Sequence, residues 1–379
     1  MAKEIAAQLG LNQPVGRFYI DSRFVEPGGC FFALKGARSD GHAHLDQVAH
    51  NQGVAAVVEQ GYDGPNFGLQ LTYVPDVLLC LQGLASQVFA KKACQVVGIT
   101  GSVSKTSMKE FIATFLSTQF KVYKSPGSYN SQITCPLSIL NCPEDVDVAV
   151  LEYAMSKPGN MQRLVEIAPP DVGVMGPIAL AHAENFSGLE MIAQEKGHLL
   201  KGVKKAFVHT ASSRFFEGEV YGDFELPLEQ NRDGAIKVAR YLGVSEENIA
   251  KVKVLKPAPH RGEVKERLGV TYFDDSYNAS VASYEGAFKA CPKGKRFIAI
   301  LGSMKELGAF SRQCHEQVRE MAKADHILAI GDEWKDVLEK EAICDTFGEL
   351  KARLEALRQE GDVVLVKGSN SHQLWRLIP

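Results

Sequence analysis

Short apolar runs separated by glycine-rich turns fill the first part of the chain. Phe18 to Ile20, Cys30 to Leu34 and Val54 to Val58 read as strands. From Val77 to Ala90 the apolar positions recur at helical spacing, which predicts a helix that closes this segment. A buried-strand pattern follows from Gln95 to Thr100. After it come the turn Gly101 to Ser104 and a helix over about 105–116. Further strands are predicted at Val148 to Leu151 and Val172 to Met175, and a helix from Asp233 to Leu242 stops at Gly243. Beyond about Val254 the alternation resumes, with strands at Phe297 to Leu301, His326 to Ile330 and Val363 to Val366. Strands alternating with helices imply parallel sheets covered on both faces, and the last segment reads as a Rossmann-like α/β domain.

Composition narrows the function classes. With 379 residues the chain is long enough for two or three domains, and 45% apolar with 23% charged residues is ordinary for a globular protein. A net charge of −3 gives no general attraction to nucleic acid, while leaving room for a local basic pocket that takes a phosphorylated ligand. The only short basic run, Lys293 to Arg296, is expected to be solvated surface. Eight cysteines stand at no metal-ligand spacing, so neither a zinc site nor a disulfide framework is expected. The N-terminal residues do not read as a signal peptide, and no apolar run is long enough to cross a bilayer. A cytoplasmic protein without membrane insertion is expected.

The strand–turn–helix from Val96 to Leu116 carries the strongest chemical signal. Backbone N–H groups of such a turn, with a helix N-terminus behind them, cradle phosphate oxygens. Lys105 would reach the outer phosphates and Thr106 would offer its hydroxyl to Mg2+. Ser104 stands where phosphate loops carry glycine, and there a Cβ disfavours the backbone conformation required. By itself the hexad from Gly101 to Thr106 fits a serine-capped tight turn equally well.

Longer blocks resolve that ambiguity. Val97 to Glu110 resembles the ATP loop of the Mur ligases. Val150 to Gly159, Pro170 to Val174, Ala181 to Phe186 and Ile192 to Gly197 are similar to the next blocks of that family. Ile20 to Arg23, Ala33 to Gly36, Asp40 to His42, Gly127 to Asn130, Asp274 to Ala279, Leu301 to Gly308 and Leu365 to Ser369 resemble the branch that adds D-alanyl-D-alanine. The resemblance runs, with interruptions, from about residue 20 to about residue 371.

It implies an α/β fold of three domains: a small N-terminal UDP-muropeptide-binding domain at 1–92, a central P-loop domain with a parallel sheet at 93–253, and a C-terminal Rossmann-like domain at 254–379. The implied activity joins UDP-N-acetylmuramoyl-tripeptide to D-alanyl-D-alanine through an acyl phosphate, with ATP and Mg2+, in a monomer. Gly101, Ser102, Val103, Ser104, Lys105, Thr106 and Ser107 would form the ATP loop, and Asn278 would approach the nucleotide. Thr106 with Glu152 would hold one Mg2+ and His182 a second. Lys196 stands where the family often carries a CO2-modified lysine that supports the metal. Arg261 would approach ATP from the C-terminal domain. Ser22 and Arg23 would hold the uridine-diphosphate end, Asn130 the muramoyl substrate, and Asp275 and Tyr277 the face where nucleotide and dipeptide meet.

The departures from the family pattern gather in the ATP machinery: Ser104 for glycine, Thr134 for glycine, Gly176-Pro177 for Thr-Asn, His198 for an acidic residue, Ser303 for aspartate and Ser280-Val281 for Asn-Pro. Asn370 and Trp375 replace an arginine and a glutamate, and the stretch between His209 and Asp233 is short. An active ligase is expected because the phosphate and metal residues remain. The departures leave open a homologue that binds UDP-muropeptide or partner proteins without turnover.

Overall fold

The computed structural model describes residues 2–36 and 39–379. The chain divides into two compact units. One comprises Met1–Gly98, Phe120–Ala154 and Asn160–Asp171; the other comprises Ile99–Gln119, Met155–Gly159 and Val172–Pro379.

The first unit holds a parallel sheet of β1 (Phe18–Tyr19), β2 (Cys30–Phe32), β3 (Ala55–Glu59) and β4 (Gln70–Val74), in that order. β2 is buried throughout and β3 is buried except at Glu59, which explains why both read as continuous apolar runs. Val25, Phe31, Leu45, Val48, Ala56 and Val58 make the core on one face. The helix Val77–Ala90 begins where the Asp76 carboxylate accepts from the Leu79 N–H at 2.8 Å, an N-cap. β5 (Gln95–Thr100) runs across the division between the units; β6 (Val122–Lys124) and β7 (Val148–Glu152) pair in parallel within the first.

In the second unit β8 (Val172–Met175), β9 (Lys205–His209) and β10 (Glu219–Tyr221) are parallel neighbours. After β9 the chain makes only the three residues of β10 before the helix Pro227–Tyr241. β10 is an outermost strand. Lys205 pairs with Glu219 at 2.8 Å, and the Lys237 ammonium donates to the Val220 carbonyl at 2.7 Å. Gly234 lets that helix come close to its neighbours: a Cβ there would lie 2.6 Å from Tyr221 and 2.8 Å from Met108 of the helix Lys105–Leu116.

The same unit contains a mixed sheet in the order β11-β12-β16-β13-β14-β15. Its strands are β11 (Glu263–Arg267), β12 (Val270–Asp275), β13 (Phe297–Gly302), β14 (His326–Ile330), β15 (Ile343–Cys344) and β16 (Val363–Lys367). The β11–β12 hairpin was not expected from sequence. Its two-residue turn is Leu268-Gly269, with φ of 54° and 72°, so both residues take the left-handed backbone that matches strand twist. Leucine is an uncommon residue there and gives no turn signal. In the short basic run Lys293 and Lys295 are exposed, as expected, while Arg296 is partly buried and its guanidinium donates to both Asp362 carboxylate oxygens, at 2.9 and 2.6 Å.

Candidate functional site

β5 delivers the chain into a loop whose backbone is tied down on one side. The Gly176 N–H donates to the Thr100 carbonyl at 2.7 Å, and the Ser102 N–H donates to the Pro177 carbonyl at 2.8 Å. The Ser102 hydroxyl donates to the Ala179 carbonyl at 2.8 Å and accepts from the Ala179 N–H at 2.9 Å. Gly101 has φ +154°, and a Cβ on it would sit 2.9 Å from the Gly176 Cα. Two glycine backbones therefore meet, and Gly176 fits the approach where a side chain would have to give way. Ser104, at the N-cap of the helix Lys105–Leu116, keeps φ +65°, ψ −2°. The serine thus adopts the left-handed conformation that glycine takes without strain, and its side chain makes no capping bond.

Two lysines converge on this loop. Lys105 donates to the Gly101 carbonyl at 2.9 Å, and Lys196, on the helix Leu189–Gly197, donates to the same oxygen at 3.1 Å. Lys196 is fully buried. Burial, and then the charge of Lys105, holds its ammonium well below the ordinary lysine range, against the pull of Glu195. A neutral amine is the form that can add CO2. Thr106 follows Lys105 on its helix and is buried, and the buried hydroxyl of Thr100 has no hydrogen-bond partner among the described residues. His198, in place of an acidic residue, lies with Nδ1 3.3 Å from the Lys201 ammonium.

His182 sits at φ +54° with its Nδ1 against the Glu306 carboxylate. Asn185, three residues on, donates to the Ser156 carbonyl at 2.9 Å.

In the first unit, Glu152 ends β7 and is buried. The Asn130 amide donates to the Glu152 carboxylate at 2.6 Å, and the Ala154 N–H donates to the Asn130 carbonyl at 2.8 Å. An expected substrate residue and an expected metal ligand are thereby joined directly. Thr134, which replaces a glycine, accepts from the Ser131 N–H at 3.1 Å and starts the helix Thr134–Leu140. The Ser22 hydroxyl donates to Gln47 at 2.5 Å, while Arg23 is exposed and grips Asp21 at 2.9 and 2.6 Å.

At the C-terminal ends of β12 and β16 a second cluster forms. The Arg261 guanidinium lies 3.9 Å from the Tyr277 ring centroid, a cation–π contact. Lys367 is buried and donates to the Asp275 carboxylate at 2.5 Å and to the Asn278 carbonyl at 3.1 Å. Burial raises the Asp275 carboxyl above its ordinary range even though Lys367 pulls it down. The Asn278 side chain accepts from the Ala279 N–H at 2.9 Å. His260 stacks on Trp375 with ring centroids 4.7 Å apart, and its Nδ1 is 2.8 Å from the Asp274 carboxylate. His260, Glu263 and Asp274 could together hold a cation, but Lys265 already fills that role, 2.7 Å from Asp274 and 2.9 Å from Glu263. Ser280 and Ser283 form a capping box for the helix Val281–Ala290, so Ser280-Val281 preserves a helix start where Asn-Pro would make one. Ser303 meets His372 Nε2 at 2.9 Å.

Sequence reasoning missed Lys367, Glu306, His260 and Asp274 as site residues. All but His260 stand inside the family blocks, yet a buried lysine or a carboxylate facing a histidine across 124 positions leaves no periodic signal.

Comparison with known proteins places these clusters in context. Residues 99–218 match the Mur ligase middle domain and residues 260–370 match the Mur ligase, glutamate ligase domain. A protein of Mycobacterium tuberculosis named UDP-N-acetylmuramoyl-tripeptide--D-alanyl-D-alanine ligase is 30% identical over 94% of this chain and 90% of its own length. The crystal structure of MurF from Acinetobacter baumannii superposes with TM-score 0.85 at 24% identity, covering all of this chain and 97% of that one. The MurF ligase from Thermotoga maritima in complex with ADP gives TM-score 0.77 at 29% identity, covering 95% and 96%.

Proposed function

This chain belongs to the Mur ligase family, and we propose on that basis that it joins D-alanyl-D-alanine to UDP-N-acetylmuramoyl-tripeptide, with ATP converted to ADP and phosphate, in peptidoglycan precursor synthesis. The observation that carries this reading is the convergence of Lys105 and Lys196 on the Gly101 carbonyl at the mouth of a helix N-terminus. The Lys105 cation at this point suits a triphosphate whose charge shifts as a phosphoryl group leaves.

The tripeptide carboxylate attacks the γ-phosphorus, ADP leaves, and an acyl phosphate forms. The dipeptide amine then attacks the acyl carbon, loses a proton, and phosphate departs. Lys105 and the loop Gly101 to Ser107 hold the phosphates, and Arg261, braced on Tyr277, adds positive charge from the C-terminal side. Asp275, Tyr277 and Asn278 hold the dipeptide and nucleotide, Ser22 and Arg23 the uridine diphosphate, and Asn130 the muramoyl group.

Each expected donor suits Mg2+ by its chemistry: a threonine hydroxyl at Thr106, a carboxylate at Glu152 and an imidazole at His182, with the unpartnered Thr100 hydroxyl near the loop. When bound, Mg2+ would neutralise phosphate charge. Lys196, whose charged form burial disfavours, would support the metal after adding CO2 as a carbamate.

We divide the chain into an N-terminal domain at 1–92, a central domain at 93–253 and a C-terminal domain at 254–379. The separate sheets β1–β4 and β11–β16 support that division. No helix among the described residues is long and apolar enough to cross a membrane. Function as a monomer in the cytoplasm is our reading.

Phosphate release with Mg-ATP, UDP-N-acetylmuramoyl-tripeptide and D-alanyl-D-alanine tests it. Release that needs all three substrates and vanishes in Lys105→Ala is the expected result. Tight UDP-muropeptide binding without release would instead mark a binding protein.

A further inference from the structure

We infer that Glu306 is the positioning residue of His182: its carboxylate accepts a hydrogen bond from Nδ1–H and so leaves Nε2 as the ring's metal-binding lone pair. The inference rests on the reading of His182 as a metal ligand. Histidines that hold metals commonly give their second ring N–H to a carboxylate, which fixes both tautomer and ring orientation.

Three independent features bring the two residues together. The Glu306 carboxylate lies against His182 Nδ1. The Glu184 N–H, two residues beyond the histidine, donates to the Glu306 carbonyl at 3.0 Å. Gly308, with φ +53°, packs so closely that a Cβ on it would lie 3.0 Å from the Glu184 Cα. A side chain at 308 would push the two loops apart.

Both partners are also held in backbone that L-residues avoid. His182 has φ +54° and Glu306 φ +61°. Each conformation costs energy and persists where surrounding contacts impose it, as at ligand-holding sites. The loop that carries Glu306 leaves the end of β13 with Met304 and Leu307 buried on either side of it. The carboxylate is therefore delivered by the C-terminal sheet, while the imidazole follows β8. Orientation of the imidazole thus depends on the C-terminal segment being docked.

The test is Mn2+ binding to the full-length chain in the presence of ADP, read from the electron paramagnetic resonance of free Mn2+. Glu306→Ala should weaken Mn2+ binding about 10–100-fold. Glu306→Gln, whose amide oxygen still accepts from Nδ1–H, should retain most of the affinity. Adding Glu306→Ala to His182→Ala should cause no further loss. Wild-type affinity in Glu306→Ala beside a weakened His182→Ala would overturn the positioning role and leave the ligand reading standing. Wild-type affinity in His182→Ala would overturn both. The His182 tautomer in the unsubstituted chain, read by long-range 1H–15N correlation, gives a check free of folding defects: Nδ1–H is expected, and Nε2–H overturns the inference.

Discussion

Lys105 and Lys196 donate to one and the same oxygen, the carbonyl of Gly101, at 2.9 and 3.1 Å. Two like charges on one acceptor disfavour each other, and the one in the more buried place holds its proton less tightly. The deeper, Lys196, is the one held well below the usual lysine range, by burial first and by Lys105 second.

That assignment fixes a pH dependence. The folded pKa of Lys196 lies below its unfolded value, so between the two the unfolded chain carries a proton that the native state does not. Stability therefore rises with pH through that window, up to the ordinary value of 10.5. Urea midpoints of the wild type, in CO2-free buffer, should climb more steeply over this range than those of Lys196→Met. Parallel curves would mean that Lys196 stays protonated in the native state.

Ser104→Gly should stabilise the protein by roughly 0.5–1 kcal/mol, the relief of left-handed strain less the extra freedom of an unfolded glycine. Because the serine makes no capping bond, little is lost in exchange. Chemical denaturation of the two proteins measures the difference. A less stable glycine variant would show that the serine side chain has a use that its φ of +65° conceals.

Tyr277→Leu removes the ring that lies 3.9 Å from the Arg261 guanidinium and should lower kcat/KM for ATP about fivefold, equivalent to ~1 kcal/mol. Tyr277→Phe, which keeps the ring face, should stay close to wild type. Equal losses in both variants would point to the hydroxyl instead.

Lys367→Met leaves the Asp275 carboxylate without its buried partner and should destabilise the fold by about 3–5 kcal/mol. Lys367→Met combined with Asp275→Asn should recover much of that loss. Thermal unfolding of the single and double variants decides the point.

The sequence revealed those parts of the molecule that obey a period or a local motif. β5 and the helix Lys105–Leu116 fall where the apolar runs place them, because a buried strand and an amphipathic helix must each repeat their pattern. The left-handed Ser104 was legible only from its place in the loop, where glycine is usual, since serine itself carries no mark of the backbone it is made to adopt. The hairpin at 263–275 escaped because Leu268-Gly269 lacks the asparagine or aspartate that usually announces such a turn. Candidate ligands such as Glu152 and His182 could be named from blocks, but their partners could not. Asn130 meets Glu152 across 22 positions and Glu306 meets His182 across 124, and only the folded chain records such pairs.

The brevity of β10 bears on how much of a sheet edge the protein offers to a second molecule. An outer strand with free backbone groups is a template on which a second molecule can build. Here that template is three residues long, one of its carbonyls is already taken by Lys237, and Glu219 and Lys205 set a charged pair at its start. A central sheet that stops early thus ends in a margin that resists aggregation.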